Sequence, residues 1–199
     1  MTFPLLIQIL CALFTAGICR YLIHHYRKTY SFSALITRGL TLLALVLSFC
    51  FGYFQVESHH VSTYLEMLLI GPLLFLCATD LKALELPDGV NLLVGILGVC
   101  YLFVAPFPFT SGLLTALILF VSFFCIAFVS GGALGGGDIK YVLAFGLWIP
   151  THLILPFLLF STLSASVYGV ISLIFSRKKE PLPFGPFLVL SSIYLLFLF

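Results

Sequence analysis

Acidic residues stand where apolar sequence gives way to polar sequence, and their spacing is where chemistry could lie. Asp80, Glu85 and Asp88 fall in ATDLKALELPDG, just after an apolar run, and Asp138 ends GGALGGGD, just before another. Asp80 and Asp138 are each followed at the second position by a lysine, as Asp80-Leu81-Lys82 and Asp138-Ile139-Lys140. Asp138 also follows Gly135, Gly136 and Gly137, residues that let a backbone turn sharply and let a second chain come close. Two carboxylates held near each other share a proton, because both ionised at short range repel. One then activates a water while the other polarises a carbonyl, which is peptide hydrolysis with neither metal nor covalent intermediate. Spacing alone does not bring the two together. Boundary acids also cap helices, pair with lysine and sit in water. Asp88, after Pro87 and before an apolar run, fits a capping role, and Glu85 a solvated one. Glu66 lies inside an apolar run, where an acid is functional by default or pairs within the bundle.

The elements that position these acids follow from composition. The chain has 199 residues, 62% hydrophobic and 8% charged, with mean hydropathy +1.23. A soluble domain is roughly 45–50% apolar and about 25% charged, so a water-soluble globule is excluded, and so is disorder. Nine Lys and Arg against seven Asp and Glu leave no basic stripe for nucleic acid. An all-α integral membrane protein without a soluble domain remains. Apolar runs at 3–23, 35–56, 61–79, 90–105, 111–130, 139–149, 152–175 and 187–199 give about eight expected membrane helices, the sixth short. No Lys or Arg precedes Arg20, so the first run reads as an uncleaved helix rather than a signal peptide. The six cysteines are at least eight residues apart, which favours small buried hydrophobes over a disulfide framework or a zinc site.

Lys and Arg fall only in alternate connections: Arg20, Arg27, Lys28 and Arg38, then Lys82, then Lys140, then Arg177, Lys178 and Lys179. The positive-inside rule puts those connections in the cytoplasm and both termini outside. Both aspartate segments then sit at the cytoplasmic boundary. Dropping the short sixth run would put Arg177 to Lys179 outside. Lys82 and Lys140 are expected to anchor helix ends at lipid phosphates. Asp80 follows a helix C-terminus and Asp138 precedes an N-terminus, so the helix dipoles make Asp138 the expected base and Asp80 the proton carrier.

Three motifs, in order, resemble the type IV prepilin leader peptidases, membrane aspartic proteases of the G-x-G-D class. Asp80-Leu81-Lys82 with Leu86-Pro87-Asp88 is similar to the family's first aspartate segment. Gly135-Gly136-Gly137-Asp138-Ile139-Lys140 is similar to the second, and Pro183-Phe184-Gly185-Pro186-Phe187-Leu188 to the stretch that opens the last helix. The resemblance covers about 62–199, which divides the chain into a two-span region, 1–61, and a six-span peptidase core, 62–199. The first region departs from the pattern. Many family members carry two C-x-x-C pairs in the first cytoplasmic loop, and RYLIHHYRKTYSFSALITR has neither. Arg38 stands near where members often carry an acid. His24 and His25, adjacent on a helix, point to different faces and do not replace the cysteines.

The resemblance implies a hydrolase of the bacterial cytoplasmic (inner) membrane, serving type IV pili or protein secretion. It would remove a short basic leader from a prepilin or pseudopilin at the cytoplasmic boundary. Asp80 and Asp138 would be the catalytic pair, with Gly135, Gly136 and Gly137 admitting the substrate backbone. No metal and no cofactor are expected, S-adenosylmethionine entering only if the family's second activity, N-methylation, is present; that activity is disfavoured. The partners expected are the prepilin and the bilayer, without nucleic acid. Other intramembrane G-x-G-D proteases carry a late Pro-Ala-Leu segment where this chain has Pro-Phe-Gly-Pro. A small proton- or cation-coupled transporter would need paired acids near the bilayer midplane.

Overall fold

The computed structural model describes residues 2–55, 61–132, 134–175 and 182–198, with side chains from Leu5 onward. It contains α1 (Thr2–His25), a one-turn α2 (Arg27–Tyr30), α3 (Ala34–Phe54), α4 (Val61–Ala83) and α5 (Asp88–Leu102). There follow α6 (Phe109–Val129), α7 (Gly136–Gly146), a 3-10 turn at Thr151–Leu153, α8 (Ile154–Phe175) and α9 (Gly185–Leu198). Among the described residues there is no strand. Each of the eight expected apolar runs is helical over most of its described length. Five stretches are long and apolar enough to cross a membrane: Leu5–His25, Ala34–Phe54, Val61–Ala83, Phe109–Val129 and Thr151–Phe175. α5 and α9 are shorter apolar helices, and α7 has 11 residues. Arg177 to Lys179, on which the eight-span expectation leaned, lie outside the described residues, as do Glu57, His59 and His60.

α4 is the hub. It packs against α1, α3, α5 and α9 and is buried over most of its length, whereas the outer helices expose large apolar side chains such as Leu35, Phe128 and Leu173. That distribution suits hydrocarbon rather than water as the surrounding solvent. Small and hydroxyl-bearing residues let the helices approach. A Cβ on Gly71 would lie 2.7 Å from the Thr15 carbonyl oxygen, so α1 crosses α4 at backbone distance. Beside that crossing the Thr15 and Ser48 hydroxyls both donate to the Met67 carbonyl, at 3.0 and 3.3 Å. In lipid, close packing and interhelical hydrogen bonds of this kind hold helices together. A second close crossing holds the short α7: a Cβ on Gly146 would lie 2.5 Å from Ala116 Cα on α6. α5 packs on the same helix. The chain leaves α4 through Leu84 in the left-handed region, φ 56°, and the next residues turn back beneath the end of that helix.

Candidate active site

Three helix ends meet here. Asp80 lies in the last turn of α4 and Asp138 in the first turn of α7. Gly185 is the first residue of α9. Asp80, Asp138, Gly135, Gly136 and Gly137 line one cavity of about 400 Å³, together with the 84–88 segment and Tyr30. The structure thus brings together every residue the sequence singled out for catalysis and substrate approach.

Asp80 is buried, and its Oδ2 accepts the Gly185 N–H at 2.9 Å. The first N–H groups of a helix have no partner within it and carry the positive end of its dipole. A carboxylate is a natural acceptor for them. A Cβ on residue 185 would lie 2.8 Å from that same oxygen, so only glycine lets α9 come this close. Pro186 behind it costs no hydrogen bond in a first turn. The Pro-Phe-Gly-Pro stretch is therefore part of the site. Its motif was visible in the sequence, but its contact with an aspartate 105 residues away was not.

Asp138 is also buried. Burial first, and the neighbouring Asp80 second, push its carboxyl up to about 7, against a hydrogen bond from the Gly135 backbone. Burial and a like charge both disfavour the ionised form. The helix N-terminus assists Asp138 as the sequence implied, but these two effects outweigh it. The three glycines differ. Nothing lies within 4 Å of a Cβ on Gly136, whereas one on Gly137 would meet Leu86 Cβ at 3.0 Å. Gly137 is where α7 rests on the 84–87 segment. Its carbonyl accepts from Asn91 Nδ2 at 3.3 Å, and the buried Asn91 Oδ1 has no partner among the described residues. Sequence reasoning missed Asn91, although a lone amide three residues after Asp88 on an apolar helix was a signal.

Several side chains are placed otherwise than expected. Lys140 Nζ donates to both oxygens of Asp88 at 2.7 Å. Lys82 Nζ donates to the Ser31 carbonyl at 2.6 Å and sits 4.9 Å from the Phe32 ring centroid. Each lysine thus has a protein partner as well as an exposed position at its helix end. Asp88 makes an ion pair instead of capping α5, whose N-cap is Pro87 with no side-chain bond. Glu85 is exposed and accepts from the Tyr30 hydroxyl at 3.3 Å. Burial, then Glu85, raises the Tyr30 pKa above the ordinary tyrosine value. Tyr30 carries residues of the first two-span region into the cavity, a link the sequence did not announce. Glu66 is buried in α4 and accepts from the Tyr101 hydroxyl, whose ring stacks on Trp148 with centroids 4.8 Å apart. It pairs within the bundle, about 21 Å along α4 from Asp80 at 1.5 Å per residue. That pairing does not supply the two midplane acids a transporter needs. Among the described residues no three His, Cys, Asp or Glu side chains converge as a metal-binding set, and the six cysteines are free.

The family model for the type IV leader peptidase family matches residues 67–170. A prepilin leader peptidase/N-methyltransferase of Bacillus subtilis is 28% identical over 191 residues, covering 94% of this chain and 73% of that protein. A protein of the same description from Xanthomonas campestris is 32% identical over 126 residues, covering 56% of this chain and 42% of that protein. No solved structure matches the chain significantly.

Proposed function

The chain belongs to the type IV leader peptidase family, and from that premise we propose that Asp80 and Asp138 cleave the leader of a prepilin or pseudopilin at the cytoplasmic face of the membrane. The single observation that carries this reading is the shared cavity between the end of α4 and the start of α7. Burial disfavours ionised Asp80 and the Gly185 N–H opposes that effect, while the larger upward push on Asp138, to about 7, assigns the shared proton to Asp138. That division reverses the one drawn from helix dipoles alone.

In the proposed reaction Asp80 takes a proton from water as the water oxygen bonds to the scissile carbonyl carbon. Asp138 donates its proton to the carbonyl oxygen. On collapse the carbon–nitrogen bond breaks, the proton on Asp80 passes to the leaving nitrogen, and Asp138 recovers its own from the hydroxyl. Every proton is accounted for without a further reactant. Gly136, open on its Cβ side, offers the backbone approach for the substrate.

The proposed topology is eight spans with both termini outside, α5, α7 and α9 being the short ones. Metal-free cleavage without N-methylation is proposed because the first loop lacks both cysteine pairs. Incubating the purified protein with a prepilin tests the central reading. A mass loss equal to the leader is expected, unaffected by chelators. An uncut prepilin beside a verified, folded protein would overturn it. A further methyl-sized gain dependent on added S-adenosylmethionine would overturn the exclusion of N-methylation.

A further inference from the structure

A second concave site lies at the same end of the bundle, between α1 and α3, and is separate from the aspartate cavity. Its volume is about 280 Å³. Two helical faces build it. Arg20, Ile23, His24 and Arg27 stand at i, i+3, i+4 and i+7 along the end of α1 and into α2. Ala34, Thr37, Arg38 and Thr41 repeat that spacing on α3. This periodicity stacks side chains on one face of each helix. The two faces turn toward each other, with the buried Phe32 between them.

Three arginines therefore line one hollow, and among the described residues no carboxylate lines it. Among the described residues, none of the three is ion-paired; the ion pair found there is Lys140 with Asp88. Like charges brought together repel, so an arrangement of this kind is relieved by an anion. Guanidinium forks match phosphate oxygens in geometry and charge. A general excess of cytoplasmic Lys and Arg would place these charges on that side of the membrane. It would not by itself set three of them on both walls of one cleft.

The position of the hollow says which phosphate. It sits where the Leu5–His25 span ends and the Ala34–Phe54 span begins, the depth of a bilayer headgroup. The flank of α3 just beside it exposes Leu35, Ile36, Leu42 and Leu43, a surface for acyl chains. We propose that this cleft is a binding site for the phosphate of an anionic phospholipid, held chiefly by Arg20, Arg27 and Arg38. The site lies against the catalytic end of the protein: Lys82, two residues after Asp80, bonds to Ser31 in the α2–α3 turn. A bound lipid would tie the first two helices to the membrane surface at the place where α2 meets α4.

The test compares wild-type protein with the Arg20→Gln/Arg38→Gln double variant. Each is purified in detergent and incubated with phosphatidylglycerol or phosphatidylcholine, and retained lipid is counted by native mass spectrometry. Wild type is expected to retain phosphatidylglycerol in preference to phosphatidylcholine. The double variant is expected to lose roughly thirtyfold in apparent affinity for it, the effect of removing two cations that each act near a lipid surface. Prepilin cleavage in lipid-free detergent should stay unchanged, which separates this site from the catalytic one. If the double variant does not fold, the exposed single substitution Arg38→Gln carries the test, with a smaller loss in the same direction. Equal retention of both lipids by wild type, or undiminished phosphatidylglycerol binding by a folded variant, would overturn the proposal. A third arm uses inorganic phosphate alone. Full displacement of phosphatidylglycerol by phosphate at matched concentration would assign the cleft to free phosphate and overturn the lipid assignment.

Discussion

The Gly185 N–H donates to Asp80 Oδ2 at 2.9 Å, joining the start of the last helix to the end of the fourth across 105 residues of chain. A hydrogen bond to a charged group contributes about 1.5–3 kcal/mol, and a Cβ at 185 would fall 2.8 Å from that oxygen. Gly185→Ala is therefore expected to push α9 from Asp80 and to lower prepilin cleavage by roughly ten- to a hundredfold. Membrane insertion should be retained. Cleavage by the alanine variant within twofold of wild type, at equal expression, would show that the bond is dispensable.

The dyad itself gives a sharper contrast. Asp80→Asn and Asp138→Asn each remove an acid or base from the proposed reaction and should nearly abolish cleavage in a gel assay. Asp88→Asn removes an exposed ion pair with Lys140, and such pairs contribute about 0–1 kcal/mol. It should leave most of the activity. An active Asp80→Asn or Asp138→Asn protein would remove that residue from the mechanism.

Proton placement predicts the pH dependence. Asp138 has its carboxyl raised from 3.8 to about 7, so its protonated form is lost as pH rises through about 7. Cleavage should fall over that interval if Asp138 is the acid. Stability follows the same sign. A raised carboxyl binds more protons folded than unfolded between the two values, so its contribution is full below 3.8 and is lost as pH rises to about 7. Asp138→Asn, which cannot ionise, should therefore raise the thermal midpoint relative to wild type at pH 8 and much less at pH 5. A variant less stable than wild type at pH 8 would contradict the raised value.

How much of this was legible in the sequence depends on distance along the chain and on chemical type. Asp80, Asp138 and the three glycines announced themselves through local patterns, because a boundary acid beside Lys or a glycine run is written in adjacent residues. The helical character of all eight apolar runs was legible from hydropathy. Crossing the membrane was not equally legible, since α7 is held by Gly146 against Ala116 rather than by its own length. Partners on other helices were hidden. Glu66 meets Tyr101, Lys140 meets Asp88 and Lys82 meets Ser31 only because particular helices pack side by side. Charge pattern alone therefore did not show the protein partners of either lysine. The basic cleft was half-visible: its arginines were counted for topology, but their place in one cleft needs α1 folded against α3.

Topology can be tested independently of catalysis. Reporter fusions after Lys28 and Lys82 should read as cytoplasmic, and fusions after Phe107 and Phe199 as external. α5, with 15 residues, and α7, with 11, reach only ~22 and ~16 Å at 1.5 Å per residue, against a hydrocarbon core of about 30 Å. They can cross only if flanking residues and neighbouring helices complete the path. With α9 crossing, an external reading after Phe199 requires α7 to cross as well. A cytoplasmic reading there would remove one short span, α7 or α9, from the count, and a fusion after Phe175 would say which.

The glycines before Asp138 offer a final separation of roles. All three line the cavity, and the sequence treats them alike. The structure does not. A methyl group on Gly136 meets nothing within 4 Å, while one on Gly137 comes within 3.0 Å of Leu86 Cβ and 3.4 Å of its carbonyl oxygen. Leu86 is buried between Glu85 and Pro87 and cannot yield as a flexible surface chain would. Gly137→Ala should therefore shift the first turn of α7, and with it Asp138, lowering kcat by roughly tenfold or more, since small displacements of reacting groups are costly. Gly136→Ala leaves that turn in place and fills space the substrate backbone would use. Its effect should appear in KM, with kcat within a few-fold of wild type. Steady-state kinetics on a fluorogenic prepilin peptide distinguish the two. Equal kcat losses for both variants would mean that the glycine run acts as a single hinge, and the division between a packing glycine and a substrate-facing one would fail.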